Sequence, residues 1–426
     1  MRAFIKVSSF ALALFLTVSV TAPVSAAGPG FGNFKYSNIY KAGQFRDVTG
    51  DEWFAGYVGD AYNYSLISGK SADHFDPLGV LTLGEAVTLA ARLRSVYYTG
   101  SAVFPESEPY YMAYAEYALR NGIISSHGDY SAPATRARFA ELICNALPVE
   151  AFPQINAIPD FGVCDVMPGA DYGRAVYTLY RAGVLSGSDG YGSFFPRSTV
   201  TRAEVCLIML RSADPAFRVV FVLPDRLPAD VIFRRSCDAV FMIETFDKNG
   251  NSIRTGSGFF ISPDGRAVTN QHVLEGAVSA SITLYSGDSY PVRGIYAYDV
   301  GLNLAVFAID AERSSWSYLE FADSDLIEEG NHIYTIGSPW ELINTITDGI
   351  ISSKLRDVSG ESLIQFTAPI SFGSGGSPLL NALGRVIGVA SSSFSYGQNL
   401  NLAVPINNMR EIGFFELRTL ESFLQY

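Results

Sequence analysis

Acyl transfer by a side-chain nucleophile needs four parts. These are a serine or cysteine, a base beside it, a group that orients the base, and backbone N–H groups aimed at the developing oxyanion. Gly373-Ser374-Gly375-Gly376-Ser377-Pro378 sets two serines in a glycine-rich turn that can also present backbone N–H groups. The chain has four histidines, His74, His127, His272 and His332. His332 sits in an apolar strand-like run and reads as structural. His74 and His127 lie in a region of different, repeated character. His272, in Thr269-Asn270-Gln271-His272-Val273-Leu274, is left as the candidate base. Such a site needs no cofactor. The cysteines, Cys144, Cys164, Cys206 and Cys237, show no metal-ligand spacing and no Cys-x-x-Cys.

The elements that would position these residues are short and β-rich. From Cys237 onward, runs at Ala239–Glu244, Gly258–Ile261, Ala280–Tyr285, Leu304–Ile309, His332–Ile336, Leu363–Phe366, Val386–Ala390 and Leu400–Val404 predict strands. Turn residues separate them, as in Lys248-Asn249-Gly250-Asn251 and Pro263-Asp264-Gly265. Many short strands between such turns imply an all-β barrel or sandwich. The tail, Asn407 to Gln425, reads as an amphipathic helix.

Gly258-Phe259-Phe260-Ile261-Ser262, Ala267 to Val273, Asn303-Leu304-Ala305-Val306, Ile336-Gly337-Ser338-Pro339, Asp348 to Ser352, and Thr367 to Val389 together resemble HtrA-like, trypsin-type serine peptidases. The resemblance implies a double β-barrel over residues 237–415, with 416–426 as a helix end. It makes His272 the base, and it departs from the family at two places. Asn303 stands at the aspartate position, where an amide holds the ring but is expected to favour the wrong tautomer. Gly375 stands at the nucleophile position. Shifting the register by one residue would make Ser374 the nucleophile, and Asp299 is an alternative orienting acid. Specificity-pocket residues are expected near Ser391 to Tyr396. Three readings follow: a working endopeptidase, a pseudopeptidase that binds peptides or proteins, and a structural surface component.

The first half carries a diverged repeat. One unit has Phe45-Arg46-Asp47-Val48, Trp53, Ile67-Ser68-Gly69, Phe75-Asp76-Pro77 and Leu81 to Ala86. A second has Ala115 to Leu119, Asn121-Gly122-Ile123-Ile124 and Thr135-Arg136-Ala137-Arg138. The third runs from Ile158-Pro159-Asp160-Phe161 through Ala175 to Val184 and Phe195-Pro196 to Thr201-Arg202-Ala203-Glu204. Each unit predicts a helix ended by glycine, then a second helix opened by threonine. Thr82 with Glu85, and Thr201 with Glu204, have capping-box spacing. The units resemble S-layer homology domains, placed at 40–98, 99–153 and 154–213 with connectors at 27–39 and 214–236. The resemblance implies an α-helical module that binds cell-wall polysaccharide. Arg202 and Arg136 are implied to line glycan grooves beside Glu204. Trp53 is a further candidate, or else a core residue.

The formal net charge of -12 excludes nucleic acid as a partner. Arg2, Lys6, the apolar run Phe10 to Val20 and Val24-Ser25-Ala26 predict a signal peptide over 1–26. No later run reaches the roughly 20 apolar residues of a membrane span. The expected product is secreted and held at the cell wall or surface. The cysteines could form two disulfides or stay buried as thiols.

Overall fold

The computed structural model describes residues 28–313, 315–358, 360–393 and 399–425. The signal peptide expected over 1–26 lies outside the described residues, as do Phe394 to Tyr396 of the expected specificity pocket. Helices α1 (Ala55–Asn63), α2 (Leu83–Thr99), α3 (Met112–Arg120), α4 (Arg136–Ala146), α5 (Gly173–Arg181) and α6 (Arg202–Ala213) come first. A further helix, α7 (Ala229–Ser236), precedes the strands. No described helix is long and apolar enough to cross a membrane.

The chain divides into two compact units, one of residues up to Ser131 with Arg202–Ala216, the other of Ala132–Thr201 with Phe217–Tyr426. In the first unit α1 packs on α6 and α2 on α3. In the second α4 packs on α5. Each second helix of a repeat therefore pairs with a first helix from another repeat.

Thr82 opens α2 through a full capping box with Glu85. Burial pushes the Glu85 carboxyl up, but the Lys70 ammonium and the Thr82 N–H outweigh it and hold it below its ordinary value. Thr82→Ala should lower stability by about 1 kcal/mol, read from the shift in urea midpoint. Thr135 caps α4 by accepting from Arg138 N, and Arg138, standing where the box would need glutamate, pairs with Glu141 at 3.3 Å instead.

Two copies of the repeat share one internal geometry. Asp47 accepts from Phe75 N and Asp76 N at 2.8 and 2.6 Å. Asp165 accepts from Phe194 N and Phe195 N at 2.9 and 2.6 Å. The counterpart of Asp47 in the last repeat is thus Asp165. It is not Asp160, which is read as part of that repeat's opening but pairs with Arg181 at 2.7 Å. Asp76 and Phe195 both adopt positive φ, at 62° and 53°. The carboxylate holds this turn closed by taking two adjacent N–H groups.

The strands are β1 (Val240–Phe246), β2 (Ser252–Phe260), β3 (Arg266–Thr269), β4 (Ser279–Leu284), β5 (Ser289–Asp299) and β6 (Leu304–Ile309). They continue with β7 (His332–Gly337), β8 (Thr345–Val358), β9 (Glu361–Phe366), β10 (Pro378–Asn381), β11 (Val386–Ser393) and β12 (Asn401–Pro405). Both sheets close, in the orders β1-β2-β3-β6-β5-β4 and β10-β11-β12-β9-β8-β7. Closure removes exposed edges and gives each barrel its own apolar core. One core gathers Phe241, Phe260, Phe307 and Trp316. The other gathers Ile333, Ile364, Phe366 and Leu379.

The connector before the barrels packs against them. Leu227, Val231 and Ile232 are buried with Val240 and Leu380, and Tyr334 Oη donates to Leu227 O at 2.8 Å. The tail departs from expectation. Ile406–Arg410 and Leu420–Gln425 are short 3-10 turns with no continuous helix between them. Phe415 N bonds Tyr296 O, and Arg418 bonds Ile295 in both directions. Strand β5 pairs with β4 only over Ser289–Pro291, so its backbone groups at Ile295 and Tyr296 are left to capture this segment, and those bonds displace the helical ones. All four cysteines are free thiols; Cys164, Cys206 and Cys237 are buried, and burial pushes the Cys206 thiol up to about 12.

Candidate active site

A cleft between the two barrels is lined by Ile253, Val273 and His272 from one and by Ile370, Phe372 and Gly375 from the other. His272 is carried by a single helical turn, α8 (Gln271–Leu274), which follows β3 directly. The turn leaves β3 at the barrel junction, so the imidazole faces the second barrel.

Asn303 holds the ring. Its φ is 52°, a left-handed conformation that asparagine tolerates better than most residues. Its Oδ1 accepts from His272 N at 3.1 Å and lies 3.0 Å from His272 Nδ1. Its Nδ2 donates to Ser391 Oγ at 2.9 Å. A backbone N–H can only donate, so the amide atom facing His272 is the oxygen. Nδ1 then carries the proton and Nε2 presents its lone pair to the cleft. This reverses the expected tautomer. The cause is the pair of contacts from His272 N and Ser391, which lock the amide orientation. Asp299 does not reach the ring, because its Oδ1 accepts from Leu302 N at 2.9 Å.

The glycine-rich turn is pinned across the barrel junction by Ser257. Ser257 Oγ donates to Gly373 O at 2.8 Å and accepts from Ser338 N at 2.9 Å. Ser257 N donates to Gly375 O at 2.7 Å. With both carbonyls held, the Gly373 and Gly375 N–H groups have no partner among the described residues and are candidate oxyanion donors. Gly373 adopts φ 91°, and a Cβ there would meet Ser338 O at 2.5 Å, so this position requires glycine.

A Cβ placed on Gly375 would lie 3.5 Å from His272 Nε2 and 3.3 Å from Asn270 Oδ1. The side-chain position that faces the base is therefore residue 375. Ser374 is 4% exposed, its Oγ accepts from Ser371 N at 3.2 Å, and it does not line the cleft. Ser377 is fully buried. Sequence reasoning missed Ser257 and Asn270. The only local signal for Ser257 is a serine between two glycines just before the apolar pair Phe259-Phe260.

The candidate glycan residues fall differently. Arg202 is 6% exposed, and its Nε and Nη2 donate to Phe75 O and Ser68 O at 2.9 and 2.6 Å. Arg136 Nε donates to Phe194 O at 2.7 Å. Each guanidinium also lies over the ring of the phenylalanine whose carbonyl it holds. Both arginines thus tie one repeat to the Phe-x-Pro turn of another. Glu204 is half-buried in the first turn of α6. Trp53 is 59% exposed and touches Phe54 and Tyr57, so it is not a core residue. No described group of three or more His, Cys, Asp or Glu could hold a metal.

Known sequences resemble the two halves separately. The family described as trypsin-like peptidase domain matches residues 256–389, and the S-layer homology domain matches residues 44–87 and 165–206. A putative serine protease HhoB of Synechocystis sp. is 37% identical over 165 residues, which is 37% of this chain and 39% of that protein. A probable periplasmic serine endoprotease DegP-like of Chlamydia trachomatis is 41% identical over 144 residues, 33% of this chain and 28% of that protein. The chain thus spans well under half the length of these relatives. The solved HtrA-type protease AlgW with tripeptide shows 30% identity and a TM-score of 0.40, over 43% of this chain and 62% of that one. The chain thus carries a trypsin-like peptidase domain over residues 256–389 and S-layer homology sequence over 44–87 and 165–206.

Proposed function

We propose that the protein is a secreted surface protein, anchored to cell-wall polysaccharide by three S-layer homology repeats, whose barrel cleft binds an extended peptide or protein segment without forming an acyl-enzyme. The observation that carries this reading is the glycine facing His272 Nε2. A base, an orienting amide and oxyanion donors surround a residue that has no nucleophile. The burial of Ser374 weighs against a shifted register. The apolar walls Ile253, Val273, Ile370 and Phe372 favour apolar side chains in the bound peptide.

The test has two arms. Purified mature protein is titrated with fluorescent peptides, and in parallel exposed to a fluorophosphonate probe with peptide mapping. Saturable peptide binding without an adduct is the expected result; an adduct on Ser374 would restore the peptidase reading. For anchoring, retention on purified wall sacculi should vanish when wall polysaccharide is stripped. Exposed Trp53, with Phe54 and Tyr57 beside it, supports a stacking role toward a sugar ring. Trp53→Ala should weaken sacculus binding about ten-fold, close to 1.4 kcal/mol. Unchanged retention would remove Trp53 from the glycan site.

A further inference from the structure

Two hydrogen-bond acceptors converge where residue 375 lacks a side chain. Asn270 is fully buried and its Oδ1 has no partner among the described residues. Its Nδ2 donates to Asn303 O at 3.1 Å, which decides which end of the amide is oxygen. His272 Nε2 is the second acceptor, because Asn303 keeps the proton on Nδ1. A Cβ on Gly375 would sit 3.3 Å from the first and 3.5 Å from the second. A buried acceptor without a donor is costly. A serine hydroxyl has one proton and would serve only one of the two. Water has two protons, fits the space of a side chain, and finds the polar partners it needs.

We propose that this site is a hydrolase in which a water held by Asn270 Oδ1 and His272 Nε2 is the nucleophile, acting on activated acyl esters such as aryl esters. The proposal rests on the peptide-cleft reading only for how the acyl group is seated. The water oxygen bonds to the acyl carbon as one of its protons passes to His272 Nε2. The carbonyl oxygen takes up the negative charge against the Gly373 and Gly375 N–H groups. The bond from carbon to the leaving oxygen then breaks, its electron pair leaving with the phenolate, and Nε2 gives up its proton. One ester and one water become one carboxylic acid and one phenol. Asn303 is neutral, so the imidazolium is less supported than beside a carboxylate. That favours substrates whose leaving group departs without much help from a proton.

The experiment uses the mature chain and the p-nitrophenyl ester of an N-acylated apolar amino acid. The expected result is hydrolysis above buffer with no initial burst and no inhibition by fluorophosphonate. In ¹⁸O-water the acid product should carry the label while the protein carries no acyl group. Gly375→Ala puts a methyl in the water position, where its nearest neighbour, Asn270 Oδ1 at 3.3 Å, must yield by a few tenths of an ångström. That variant and His272→Gln should each lose about 100-fold or more, the range of general-base catalysis. Thermal melts matching the parent show that both variants are folded. Hydrolysis by Gly375→Ala at the parent rate, or a burst with an acylated protein, would overturn the proposal. Peptide binding with hydrolysis no faster than buffer would overturn this inference alone. Hydrolysis with no peptide binding would instead sink the cleft reading of the previous section.

Discussion

A chain carrying both Gly375→Ser and Asn303→Asp should react with a fluorophosphonate at residue 375, and the parent should not. Three features of the structure make room for this. The Gly375 backbone is not in the left-handed region, so serine is not strained there. The nearest atom to its new Cβ is Asn270 Oδ1 at 3.3 Å, which must yield by a few tenths of an ångström. The hydroxyl, one bond further out, can then meet His272 Nε2. At residue 303 an aspartate keeps both bonds to His272, and the Ser391 hydroxyl turns from acceptor to donor. The carboxylate then supports the imidazolium, which the amide cannot. In trypsin-type peptidases an asparagine at this position costs about 10⁴ in turnover, largely through the wrong tautomer. Here the tautomer is already the useful one. The single Gly375→Ser variant should therefore label too, behind the double variant by clearly less than about 10⁴. An unreactive double variant with a parent-like melting curve would show that the glycine turn cannot hold a working nucleophile.

Loss of Arg385 should be the most damaging single change to the second unit. Arg385 follows β10 on the turn to β11 and is 1% exposed. Its guanidinium donates to Phe161 O at 2.6 Å, to Val166 O at 2.8 Å and to Val163 O, and it lies over the Phe161 ring. Glu320 is its acidic neighbour at 3.9 Å. Arg385→Ala leaves buried carbonyls short of a donor and Glu320 with only the weaker influence of Arg197 in place of its main counter-charge. A loss of about 3 kcal/mol or more follows, measured as a fall in urea midpoint at constant slope. Burial pushes the Glu320 carboxyl above its ordinary value, and the Arg385 guanidinium draws it back down. Without Arg385 the folded state holds that proton more tightly still. A raised carboxyl stabilises the fold below its unfolded value, and this contribution fades as pH rises through the folded one. The deficit of the variant should therefore widen from weakly acidic to neutral pH. A deficit that does not change with pH would mean that Glu320 is neutralised by another group.

The parts of the fold legible in the sequence are those with local causes. Leu304–Ile309 is readable to the residue because it is an unbroken apolar run buried along its whole length. Strands β5 and β8 are not readable in this way. β5 contains Pro291 and Gly294 and is bulged at two places, which breaks the alternation that marks a strand. β8 is mostly polar along Thr345–Val358 with one fully buried position, so its strand character comes from its neighbours β7 and β9. The tail shows the opposite failure, where a helical pattern loses to the stretch of β5 that runs past its pairing with β4.

The same division runs through the site. His272, Asn303 and the glycine turn can be picked out from the chain alone, because each sits in a short motif of fixed order. So can the turns and helix starts that depend on Thr82, Thr135 and the glycines nearby. The roles of these residues come from contacts made across long stretches of chain. The tautomer that Asn303 imposes depends on Ser391, 88 positions away. The hold on the glycine turn depends on Ser257, 116 positions from Gly373. Buried Arg136 and Arg202 reach carbonyls 58 and 127 positions away. A hydrogen bond has no sequence signature when its partners meet only after the chain has closed. Which donor finds which acceptor is set by the packing of the barrels and repeats, and that packing is a property of the whole fold.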